Sequence, residues 1–214
     1  MVARLSEPLT ILVYAPLMRR GPRPEHRAGR QKMPADVAAS LLIAGRECGS
    51  CSLCCKVMTI TYMDPPKAGG KWCSHCSPGK GCAIWQDRPQ GCADFHCDWR
   101  KNAQLSDDWR PDRCGFVINK AAEHLPFEII VDPGRPDAWR KEPYYSALKG
   151  ACRIAAEKRQ AMMVLVGSRR WLMLPDKDVA VPTEHYASDY RIFRAPALQG
   201  GEWQVEVVAP ARAS

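Results

Sequence analysis

No apolar run in these 214 residues approaches the ~20 that a membrane-spanning helix needs. The nearest candidate, Leu9 to Met18, is short, broken by Pro16 and preceded by Glu7 and Pro8. Arg19 and Arg20 follow it, whereas an export signal carries its positive charge first. No stretch repeats at the periods of a solenoid or propeller. The G-x-x-x-x-G-K-[ST] phosphate loop is missing, and Lys80 between Gly79 and Gly81 does not replace it. Membrane, exported, repeat and P-loop classes are therefore set aside, and the expected location is cytoplasmic.

What the chain has in excess is cysteine. Nine of its 11 cysteines lie between Cys48 and Cys97. An apolar fraction of 46% is ordinary for a globular protein, so a core does not need disulfide staples. In a reducing compartment, crowded thiols point to metal or redox work.

The formal charge of +8 raises the question of nucleic acid. Its placement argues against it. Residues 1–32 hold seven basic and two acidic side chains, and the rest of the chain keeps only +3. Residues 48–100 carry six basic and four acidic groups, weak support for a nucleic-acid face. Segment 1–32, with Arg19-Arg20-Gly21-Pro22-Arg23-Pro24, has no periodicity and reads as a disordered leader, with Met33 a plausible alternative start.

Residues 33–100 read as an irregular cysteine-rich metal-binding module. A short helix over Ala35–Ala44, stopped by Gly45, leads into it. Residues 101–214 read as a small mixed α/β unit packing on the module, giving an α+β protein. Strands are expected at Gly115–Asn119, Phe127–Val131 and Trp203–Val208, and a helix at Tyr144–Gln160. Met162–Val166 and Arg170–Leu174 form an expected hairpin around Gly167-Ser168.

The constellation runs Cys48-x-x-Cys51-x-x-Cys54-Cys55, then Cys73-Ser-His75-Cys76, Cys82, Cys92, His96 and Cys97. Two residues between cysteines let one backbone turn aim both sulfurs at one ion, and two such pairs make a tetrahedral site. The triplet Cys48, Cys51, Cys54 also has the spacing found around iron–sulfur clusters, with a fourth ligand from elsewhere. A radical-SAM reading fails, because Cys51 and Cys55 are followed by Met58 rather than a third cysteine. Adjacent Cys54 and Cys55 leave the backbone in different directions, so one is spare or two sites lie side by side. All nine are candidate ligands: Cys48, Cys51, Cys54, Cys55, Cys73, Cys76, Cys82, Cys92 and Cys97.

These residues, with Trp72-Cys73 and Gly81-Cys82-Ala-Ile84-Trp85-x-Asp87-Arg88-Pro89-x-x-Cys92-x-x-Phe95-x-Cys97, resemble the YkgJ-like CxxCxxCC family. The resemblance covers about a quarter of the chain, Cys48 to Trp99. Trp85 stands where the family commonly has Tyr, and Ala93 where it commonly has Arg. Cys76 is the cysteine least matched to the pattern. The resemblance implies chelation of zinc or iron and leaves activity open.

Nine thiols exceed one four-ligand site, which favours iron or an iron–sulfur cluster over zinc as the cofactor. The expected function is a metal-binding accessory or redox-related protein, with an unidentified protein partner and neither membrane nor nucleic acid. An iron-dependent or iron–sulfur enzyme, with its site between module and α/β unit, and a zinc-ribbon-like module binding nucleic acid or protein are the alternatives. No catalytic residue is identified. His75 and His96 are possible ligands, more readily hydrogen-bond partners of a sulfur or surface groups. Cys114 and Cys152 fit buried inert thiols. Asp87 is expected to cap a helix beginning near Pro89. Arg88 is expected to donate to a ligating sulfur or a nearby carboxylate, offsetting thiolate charge. Tyr144, Tyr145 and the tryptophans are expected in the core.

Overall fold

The computed structural model describes residues 42–119, 127–186, 188–195 and 201–208. The leader, the alternative start at Met33 and most of the Ala35–Ala44 helix lie outside the described residues. Among those described, no helix is long and apolar enough to cross a membrane.

The architecture is α+β. A five-stranded sheet has the order β3-β4-β5-β6-β7, with β3 at Phe116–Asn119, β4 at Glu128–Val131, β5 at Met162–Val166, β6 at Arg169–Met173 and β7 at Asp178–Val181. All neighbours are antiparallel except β4 and β5, which run parallel and therefore need a crossover. The connection between them includes the long helix Tyr144–Glu157. Gly167 takes φ +58, which suits the two-residue turn closing β5 onto β6 at Val166 and Arg169.

Alternation along the strands assigns the two faces of this sheet. Phe116, Ile129, Val131, Met162, Val164, Val166 and Met173 pack with Leu148, Cys152 and Ala155 of the long helix and with Trp139. The opposite face is shared. Met163, Leu172 and Val181 lie under the antiparallel pair β8 (Asp189–Arg194) and β9 (Trp203–Val208), through Ile192, Trp203 and Val205. Val117 and Ile130, from β3 and β4, instead meet Leu53 and Val57 of helix α1 (Leu53–Val57). The cysteine segment thus sits on the β3–β4 end of that face. Val117 is fully buried there, a contribution of about 1.5–3 kcal/mol.

Between α1 and the sheet come six more short pieces. They are a ribbon of β1 (Cys76–Ser77) and β2 (Gly81–Cys82), helices α2 (Gln90–Asp94) and α3 (Asp98–Lys101), a 3-10 turn at Asp107–Trp109, and helix α4 (Pro111–Cys114). None is long enough to be held by its own hydrogen bonds.

Several sequence expectations need correction. Pro89 itself is the residue before α2, and no side chain caps that helix, so Asp87 does not cap it. The backbone N–H of Asp87 bonds Ile84 O within a turn instead. Trp99 and Trp139 are buried, but Trp72 and Trp85 are exposed at 42% and 44%. Tyr144 and Tyr145 do pack on the core, and Cys114 and Cys152 are buried. Strands β7 and β8 were not anticipated.

Candidate metal centre

All nine clustered cysteines line one cavity of about 280 Å3. They reach it from separate pieces of backbone. Cys48 and Cys51 flank a turn in which Cys51 N–H donates to Cys48 O at 2.7 Å. Cys54 and Cys55 sit on α1. Cys73 donates its N–H to Cys55 O at 3.0 Å, and Cys76 donates to Cys73 O at 3.0 Å. Cys82 lies opposite Cys76 across the ribbon. Cys92 is on α2, and Cys97 immediately precedes α3. Gly81 lets the ribbon close on the Cys48–Cys51 turn: a Cβ there would stand 2.9 Å from Gly49 O, and its φ is +103.

All the cysteines are free thiols. Cys114 and Cys152 stand apart from the cavity and donate to main-chain carbonyls, Cys114 to Phe116 O at 3.1 Å and Cys152 to Met173 O at 3.0 Å. Among the described residues, no group of three or more His, Cys, Asp or Glu side chains is arranged as it lies to hold a metal ion. The cavity gathers the thiols without closing them on a point.

Their electrostatics is uneven. Cys55 accepts a hydrogen bond from Cys54 and is held down at about 6, while Cys54 is pushed up by that same bond and by burial. Burial raises Cys76 and Cys97 to about 11 each. Burial also raises Cys51 and Cys82. Metal binding to such thiols releases their protons.

Cations stand close by. Lys67 is 8% exposed and donates to the carbonyls of Lys56, Ala68 and Lys71 at 3.0–3.1 Å. Burial lowers its pKa, and the nearby Cys73, Cys55, Cys54 and Cys92 oppose that shift. Arg100 spans Arg46 O at 3.0 Å, His96 Nδ1 at 3.0 Å and Cys48 Sγ at 3.9 Å. Arginine has no acceptor, so His96 Nδ1 must accept, and His96 is a partner of Arg100. His75 does line the cavity.

Arg88 lines the cavity but, among the described residues, makes no bond to sulfur or carboxylate. Its guanidinium stacks 3.5 Å over the Trp85 ring, and its buried Nε and Nη1 have no hydrogen-bond partner among the described residues. Tyr62 was not anticipated: its hydroxyl lies 3.3 Å from Cys92 Sγ, and its ring packs against Gly91. Arg100 could have been suspected from its place four residues after His96. Tyr62 and Lys67 carry no sequence signal.

The chain matches no family model, no curated protein and no solved structure.

Proposed function

We propose that this chain is a metal-binding protein whose segment Cys48–Cys97 holds iron or an iron–sulfur cluster, with zinc as the alternative, in an accessory or redox-related role. One observation carries the reading: nine cysteines spread over fifty residues of sequence line a single cavity, while Cys114 and Cys152 turn elsewhere. Thiolate is the soft ligand that selects zinc and iron–sulfur chemistry. Unpartnered Arg88 nitrogens and the buried Lys67 beside these thiols suit a centre of net negative charge. Closing thiols onto an ion requires rotation about χ1 between staggered wells, which is open to a side chain with one torsion. Bound iron would supply redox or Lewis-acid chemistry, and zinc would supply structural stability.

Membership of the YkgJ-like CxxCxxCC group belongs to this proposal, as does a cytoplasmic location, which suits free thiols. A second reading, an iron-dependent enzyme, draws on the cavity walls. Met58, Ile60, Met63, Ile84 and Phe95 also line it, and its volume lies just under the ~300 Å3 of the smallest ligand sites.

The test is purification without oxygen from iron-replete cells, followed by iron, sulfide and zinc analysis and an absorption spectrum. Iron with a brown colour supports the favoured reading. Colourless protein with stoichiometric zinc selects the alternative, and metal-free protein that takes up neither rejects the proposal.

A further inference from the structure

We infer that eight of the nine thiols form two four-thiol metal sites meeting at the Cys54–Cys55 step. An inner site holds Cys48, Cys51, Cys54 and Cys97, an outer site holds Cys55, Cys73, Cys76 and Cys82, and Cys92 belongs to neither. The inference rests on the metal-binding reading above and adds to it the number of sites and the members of each.

The inner set lies on the sheet side. Cys54 and Cys97 both pack against the cluster of Leu53, Val57 and Val117. Arg100 joins the other two to them. Its backbone N–H bonds Cys97 O at 3.0 Å, while Nη1 reaches Cys48 Sγ at 3.9 Å, and Cys48 is tied by its turn to Cys51. The outer set follows the ribbon. Main-chain bonds run from Cys76 to Cys73 and from Cys73 to Cys55, and Cys76 stands directly across from Cys82. The Cys55 and Cys76 thiols also shift each other's pKa.

The junction follows from helix geometry. Consecutive residues of α1 point about 100° apart, so Cys54 and Cys55 address different directions while each still shifts the other's pKa. Mutual influence follows the sets for Cys97, which feels Cys51 and Cys48, and for Cys76, which feels Cys55 and Cys73; Cys82 feels Cys55 and Cys73 and also Cys92. Cys92 is engaged by the Tyr62 hydroxyl. Four thiolates satisfy one tetrahedral zinc or one iron–sulfur cluster, so eight of the nine cysteines are used.

The probe is zinc(II) alone, titrated into reduced, metal-free full-length chain. Exposed thiols are then alkylated with N-ethylmaleimide and counted by intact mass. The expected species differ in blocks of four protected thiols, with two zinc ions at saturation. Peptide mapping should assign the blocks to the two named sets, with Cys92 reacting throughout. Cys97→Ser and Cys82→Ser should each halve the zinc content and leave the other set protected. Should a variant fail to fold, the block pattern of the unmutated chain decides alone. Protection of all nine thiols as one unit, or blocks that mix the sets, overturns the division while leaving metal binding intact. A chain that takes up no zinc and protects no thiol overturns the division; if it also holds no iron as purified, metal binding falls with it.

Discussion

Lys56 on α1 reaches Asp132, just beyond β4, at 2.6 Å, and this pair should fasten the cysteine helix to the sheet. The two side chains are 20% and 12% exposed, so solvent screens the contact only partly. Asp132 Oδ1 also accepts Gly134 N–H at 2.9 Å. A hydrogen bond between charged groups contributes about 1.5–3 kcal/mol, and Lys56→Met should cost about 2 kcal/mol by leaving the carboxylate one donor short. A cycle with Asp132→Asn should give a coupling of about 1–2 kcal/mol. Burial alone would raise the Asp132 pKa, but the Lys56 bond, the Gly134 N–H and Arg135 outweigh it and bring it below the usual carboxyl value. A carboxyl depressed in the folded state stabilises above its unfolded value and loses that contribution as pH falls through the folded one. Urea unfolding of the parent and Lys56→Met should therefore differ fully at pH 7 and converge as pH drops below about 4. A coupling under about 0.5 kcal/mol at pH 7, or a difference unchanged in acid, would refute the tether.

In metal-free reduced protein, Cys55 should be the clustered thiol alkylated first at pH 7, since its value of about 6 leaves it a thiolate there. Its rate should fall as pH drops through about 6, and peptide mapping that finds Cys97 or Cys76 reacting first would contradict this. Gly91→Ala would place a Cβ 2.5 Å from the Tyr62 ring and push it off Cys92. Tyr62 is half exposed and can swing out, so Cys92 alkylation should rise several-fold with a stability change under about 1 kcal/mol. Lys149→Met should cost about 3–5 kcal/mol in urea unfolding. It removes a buried ammonium bonded to Leu174 O, Lys177 O and Asp178, leaving that carboxylate to Tyr145; a loss under about 1 kcal/mol would show the network to be dispensable.

The C-terminal sheet was largely legible because its strands carry pattern. Met162–Val166 and the following strand flank a Gly-Ser turn, and the structure shifts the second strand by one residue, to Arg169–Met173. The long helix ends at Glu157 rather than Gln160. Asp178–Val181 was missed because four residues with one charge give too little alternation. Two-residue strands such as Cys76–Ser77 carry no period at all. The cysteines' gathering followed from spacing, whereas their cationic neighbours did not. Lys67 is placed by main-chain carbonyls, and Arg88 turns to the Trp85 face, an interaction that residue order does not encode.

The most direct test of the central claim is the K-edge X-ray absorption spectrum of the metal the full-length protein carries when purified without oxygen. The account predicts a first shell made of sulfur, at about 2.3 Å if the metal is zinc. A first shell of oxygen or nitrogen without sulfur would contradict it.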